Sequence, residues 1–217
     1  MTVTQISAQD LFRAAYENRY TWDKSFPGYT ADVTYKQGDK VFTGKIRIPA
    51  TLKPEVIDIQ DEEAKQAIHG QLFEVAIHRI RRTFEETHSS NTFSYGKTDE
   101  NGAVEILMGG KASGDKYKLN NNEVTLVHRQ IHGVVVTIHT FSSHETGEGY
   151  LSHTYDSVYH DPKTGEQKGG KSDFVDEYEK VGNFVILNRR QITTDLGAET
   201  SVQEFIFSNI KLIEADA

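Results

Sequence analysis

Glu123-Val-Thr-Leu-Val-His-Arg-Gln-Ile-His-Gly-Val-Val-Val-Thr-Ile-His-Thr-Phe-Ser142 decides the fold. It holds two strand candidates, Glu123–His132 and Val134–Ser142, with Gly133 alone between them. β-Branched residues crowd both halves, and Gly133 to Ile138 is apolar but for Thr137. That run is far short of the roughly 18 residues needed to span a bilayer as a helix, and it suits a buried strand.

The same reading extends both ways. Further strand candidates are Ala103–Lys111, Asp115–Leu119, Gly149–His160, Ser172–Lys180, Asn183–Thr194 and Ser201–Ile213. Gly, Asn and Asp clusters separate them. The gaps are too short for helical crossovers, so neighbours are expected to pair antiparallel as a meander. Upstream, Tyr29 to Tyr35 alternates, Gln37-Gly38-Asp39-Lys40 turns the chain, and Val41 to Ile48 returns as a hairpin partner. Pro49 and Pro54 end that pairing, because proline cannot donate to a ladder.

Two helices precede the long strand series. Ser7 caps the first, with Leu11, Phe12, Ala15 and Tyr16 on one stripe. The second is expected from about Asp61 to Thr87. Ile68, Leu72, Ala76, Ile80 and Phe84 recur every four residues, and Phe73 and Ile77 widen the stripe towards the sheet. About ten strands are too many to lie flat. The expected fold is therefore α+β: a strongly curved antiparallel sheet, a half-barrel, with two N-terminal helices on its concave face. A single domain over residues 1–217 is expected.

Composition narrows function. Lys plus Arg total 24 and Asp plus Glu total 32, a formal charge of −8. An acidic chain repels polyphosphate, so no nucleic-acid partner is expected. The absence of cysteine excludes disulfides, thiolate metal sites and cysteine nucleophiles. Met1 to Asp10 has no basic segment followed by an apolar one, so no signal peptide is read and a cytoplasmic location is expected.

Several motifs invite chemistry. Gly165-Glu-Gln-Lys-Gly-Gly-Lys-Ser172 matches the phosphate-loop pattern letter for letter. Such a loop needs a buried parallel strand before it and a helix after it. Here Asp161-Pro-Lys-Thr-Gly165 reads as a hairpin turn instead. His128 and His132 would lie about 13 Å apart on a strand, too far to share an ion. His153 and His160 fall on opposite faces of one strand. Neither a metal nor another cofactor is expected. Ser142-Ser-His-Glu145 contains triad residue types, but a triad converges from separate elements. Asp156, Asp173, Asp176 and Glu177 could pair across strands for acid–base work, and are read as surface charge. No catalytic residue is assigned. His78-Arg-Ile-Arg-Arg82 is a basic cluster near the end of the long helix, where the helix dipole favours cations.

The binding residues expected are apolar and aromatic. Leu151, His153, Tyr155, Ser157 and Tyr159 share one strand face, with rings whose tips are polar. Facing them, the long helix carries more apolar surface than docking requires. A pocket is expected between Phe73 and Ile77 on the helix and His153, Tyr155 and Tyr159 on the strand, with Trp22 and Phe26 at its rim.

Two resemblances bear on this. Ala15-Tyr-Glu-Asn-Arg-Tyr-Thr-Trp-Asp23 and Phe26-Pro-Gly-Tyr-Thr-Ala-Asp-Val33 resemble the opening of an uncharacterised protein family of cyanobacteria and plant plastids. That family has about this length and implies no activity. Asp176-Glu-Tyr-Glu-Lys-Val-Gly-Asn-Phe-Val-Ile-Leu187 and Glu204-Phe-Ile-Phe-Ser-Asn-Ile-Lys-Leu212 are similar to the last strands of the LolA/LolB lipoprotein-carrier superfamily. This likeness implies a curled half-barrel closed by helices around an apolar cavity. The function expected is non-catalytic binding of an apolar ligand such as a lipid, pigment or quinone. A protein-interaction or assembly factor is the alternative, and an enzyme on a small polar substrate a second one.

Overall fold

The computed structural model describes residues 6–214, so Met1 to Gln5 of the N-terminal stretch read for a leader lie outside the described residues. In chain order the elements are α1 (Ala8–Glu17), β1 (Gly28–Gln37), β2 (Lys40–Pro49), β3 (Glu55–Ile57), α2 (Glu62–Arg79), α3 (Phe84–His88), β4 (Asn91–Thr98), β5 (Val104–Gly110), β6 (Lys116–Asn120), β7 (Glu123–Ile131), β8 (Val134–Glu145), β9 (Tyr150–His160), β10 (Gln167–Val181), β11 (Phe184–Asp195) and β12 (Thr200–Leu212). The strands follow one another as β3-β2-β1-β12-β11-β10-β9-β8-β7-β6-β5-β4, an open order with β3 and β4 at its two edges. The meander from β5 to β12 follows the expected order. What the sequence did not indicate is that β1 pairs antiparallel with β12, from Tyr29 opposite Leu212 to Gln37 opposite Gln203.

Three expectations are corrected. The sheet has twelve strands rather than about ten. β3 has three residues, and β4, Asn91-Thr-Phe-Ser-Tyr-Gly-Lys-Thr98, shows only Phe93 and Tyr95 in alternation. The helix expected over Asp61 to Thr87 is two helices. It stops at Arg79 because Ile80 turns to extended backbone and bridges in parallel to Trp22, whose N–H donates to the Arg79 carbonyl at 2.8 Å. Thr83 then starts α3 with a reciprocal cap. The helices are therefore three rather than two.

The chain forms two compact units, each assembled from separated segments: Met1–Tyr20 with Arg82–Asp173, and Thr21–Arg81 with Phe174–Ala217. In the first, α1 and α3 cover the strands from β4 to β7. Phe12, Ala15, Tyr16 and Phe84 pack on Ile106, Met108, Tyr117 and Leu119 in one buried cluster. Its rings meet edge-on or tilted, with Phe12 at 4.9 Å from Tyr117 and 5.1 Å from His88. Gly149 lets Asn18 and Arg19 approach the start of β9. Its φ is +131°, and a Cβ there would strike the Asn18 carbonyl.

In the second unit, α2 is capped by Asp61, whose carboxylate accepts from the Ala64 N–H at 2.9 Å. It buries Ala64, Ile68, Leu72, Val75 and Ala76. Beneath the strands' alternating pattern, Tyr29, Val33, Tyr35, Ile46, Ile48, Ile186 and Phe205 are all but sealed from solvent.

Candidate functional site

The phosphate-loop lookalike is a hairpin. Gly165 N–H donates to the Asp161 carbonyl at 2.9 Å, and Asp161 N–H donates to the Glu166 carbonyl at 2.8 Å. β10 follows directly, so no helix N-terminus faces the glycines. Lys171 donates to Asp173 at 2.9 Å and to Asp156 at 3.1 Å. Asp156 is buried, and its other oxygen accepts from His139 Nδ1–H at 2.9 Å. Burial pushes the Asp156 carboxyl up, but the hydrogen bonds from His139 and Lys171 outweigh it and hold the group below its ordinary value. With both oxygens engaged, Asp156 is an acceptor that ties β8, β9 and β10 together. At the far end of β7, Glu123 accepts from the Ser143 hydroxyl at 2.5 Å. Burial and the neighbouring Glu145 raise its carboxyl above the ordinary value. Among the described residues no group of three or more His, Asp or Glu side chains is arranged to hold a metal ion.

The second unit holds a buried ion pair. Arg190 and Asp176 are 4% and 2% exposed. Arg190 Nε and Nη2 donate to the two Asp176 oxygens at 2.8 and 2.7 Å, and Nη1 donates to Gln71 on α2 at 2.8 Å. This bidentate fork fixes α2 against β10 and β11.

The remaining surface of α2 is unlike an ordinary polar outer face. Phe73 is 49% exposed and Ile77 41%. The expectation that they face the sheet is therefore corrected: the buried stripe runs through Ile68, Leu72 and Ala76, and Phe73 and Ile77 lie outside it. His69 lies parallel to Phe73, with ring centroids 6.3 Å apart. Beside them an open groove of about 490 Å³ runs between β3 and α2, lined by Val56, Glu62, Lys65, Gln66 and His69. On α2, Glu62, Gln66, His69, Phe73 and Ile77 follow each other at three- and four-residue spacing, so groove and apolar ridge form one continuous line.

The other expected binding residues fall as follows. Trp22 and Phe26 are buried in the second unit, stacked at 4.0 Å, with Trp22 Nε1–H donating to the Val185 carbonyl at 3.3 Å. Neither forms an open rim. His153 and Tyr155 are half-buried on β9 in the first unit, and Tyr159 is 43% exposed there.

A family model described as "Protein of unknown function (DUF3386)" matches residues 3–213. The chain belongs to that family. No curated protein matches it. Among solved structures, a Vibrio parahaemolyticus domain named for outer membrane lipoprotein sorting is similar over 97% of this chain and 94% of its own, at 8% identity and a TM-score of 0.40. A DUF1329 family protein from Desulfovibrio piger is similar over 97% of this chain and 93% of its own, at 8% identity and a TM-score of 0.28. In the described part of this DUF3386 chain, no helix is long and apolar enough to cross a membrane.

Sequence reasoning missed the groove residues Val56, Lys65, Gln66 and His69, because their convergence depends on the three-residue β3 lying beside α2. The Arg190–Asp176 pair did leave a signal. Arg190 stands in step with Ile186 and Ile192, both buried, so strand alternation points its side chain inward.

Proposed function

We propose that this DUF3386 protein is a non-catalytic binding protein for an apolar ligand, a lipid, pigment or quinone, held along the outer face of α2. The observation that carries this reading is an open groove beside the start of α2 together with Phe73 and Ile77, exposed on the same helical face as its lining residues. Exposed apolar side chains scattered singly mean little, but two on one helical line that leads into a concavity of ligand size are a binding feature. The groove's four polar side chains would orient the guest while the ridge covers its apolar body. His153, Tyr155 and Tyr159 on β9 are a second candidate lining in the same reading.

Native mass spectrometry of protein purified from its own host tests this. The wild-type protein is expected to carry an apolar small molecule. The double variant Phe73→Asp, Ile77→Asp is expected to lose it while melting within a few degrees of wild type, since both side chains sit outside the core. A variant that retains the ligand at wild-type occupancy would refute the α2 site. Tyr155→Asp read in the same way tests the β9 lining.

A further inference from the structure

The groove's chemistry narrows the ligand, given the reading that α2 holds an apolar molecule. Glu62 and Lys65 line it with opposite charges, 3.7 Å apart, and so cancel. Gln66 offers an amide donor and acceptor, and the His69 ring nitrogens add further hydrogen-bonding atoms. An anionic head, which the dipole at this helix end favours, would here lie against Glu62, with Glu63 in the same helical turn, or would have to take Lys65 away from Glu62. A cationic head would have to displace Lys65, and would sit at the helix end where the dipole opposes positive charge. An uncharged head with hydroxyl or carbonyl groups can bond all four side chains without breaking the pair.

The apolar end is as specific. Beyond His69 the ridge is one side chain wide, Phe73 then Ile77. At the helical rise, Glu62 to Ile77 spans about 22 Å, enough for a head and one extended alkyl chain. We infer that the ligand is a single-chain amphiphile with an uncharged, hydrogen-bonding head, seated head-first between β3 and the start of α2.

The test is calorimetric titration of the full chain with dodecyl maltoside, dodecyl phosphate and dodecyltrimethylammonium, each below its micellar concentration. The three share one tail and differ only in the head. The maltoside is expected to bind at least about tenfold tighter than either charged amphiphile. Glu62→Gln leaves Lys65 without its carboxylate partner, so it should raise the affinity for dodecyl phosphate relative to that for the maltoside about tenfold. A wild-type protein that binds a charged amphiphile as tightly as the maltoside overturns the uncharged-head inference while α2 binding stands. If none of the three binds, or if Phe73→Asp with Ile77→Asp binds them all as wild type does, the α2 reading itself falls and this inference with it.

Discussion

The two units use the same materials, antiparallel strands and amphipathic helices, in opposite ways. In the first, α1 and α3 commit their aromatic rings to the interior: Phe12, Tyr16 and Phe84 join Phe93, Tyr117 and His88 in one cluster of edge-on and tilted rings. In the second, α2 docks through small and aliphatic residues and a buried ion pair, and leaves Phe73 and Ile77 outside. A helix held by its aromatic residues has none to offer a ligand. A helix held by Ile68, Leu72 and the Arg190 fork can present Phe73 on its far side. The difference leaves the helices' aromatic rings inside in one unit and exposes apolar helix surface in the other.

The contrast breaks most easily at Arg190. Arg190→Ala leaves Asp176 buried and without its fork, and removes the donor to Gln71. The expected loss is about 3–5 kcal/mol. Trp22 is the only tryptophan and is buried in the same unit, so urea unfolding followed by its emission reads the loss directly. A change below about 1 kcal/mol would mean that packing, not the ion pair, holds α2.

The first unit should break instead with acid. Burial, followed by the charges of Arg19 and Arg129, lowers the His88 imidazole to about 4. Its Nδ1 accepts from the Asn91 amide at 3.0 Å, a bond that protonation destroys. Because the folded value is depressed, the unfolded chain binds the proton first. The stability from neutral His88 is complete above the unfolded value near 6.5 and is lost as pH falls from there to about 4. The expected decrement is about 2–3 kcal/mol. His88→Gln should flatten the stability–pH curve over that window, whatever its own cost at neutral pH. An unchanged slope would show that His88 titrates normally.

Most of this architecture was legible in the sequence, for a physical reason. Period-two alternation between Gly and Asn turns is a local signal, and all ten strands expected from it formed with ends shifted by up to five residues, the largest shift being at β10. Non-local events were not legible. β1 pairs with distant β12 as well as with its sequence neighbour β2, and Val56 of the three-residue β3 lines a groove that no periodicity announces. The α2 stripe shows a subtler limit. Positions four apart drift around a helix of 3.6 residues per turn, so Ile68, Leu72, Ala76, Ile80 and Phe84 cannot all face one way over that length. Phe73 and Ile77 are apolar, and that alone points them to the sheet side in a sequence reading. Their exposure is the feature on which the binding reading rests.

The smallest expected effect lies where the long helix was expected to continue. Thr83 Oγ1 accepts from the Glu86 N–H at 3.2 Å, and the Glu86 carboxylate accepts from the Thr83 N–H at 2.8 Å. The pattern Thr83-x-x-Glu86 is a helix-start signal inside an apparently unbroken helix, and the structure obeys it. The cap matters because α3 is only five residues long, yet it delivers Phe84 and His88, four apart, to one face of the aromatic cluster. So short a helix has little stability of its own and depends on its cap and its packing. Thr83→Ala removes one side-chain acceptor and leaves the Glu86 bond in place, so about 1 kcal/mol should be lost. Thr83→Ser should recover most of it. The near-ultraviolet circular dichroism of the tyrosine-containing cluster, followed through urea unfolding, reports the change. A Thr83→Ala variant as stable as wild type would mean that Phe84 and His88 hold α3 in place by packing alone, and that the first unit's aromatic cluster needs no help from the backbone.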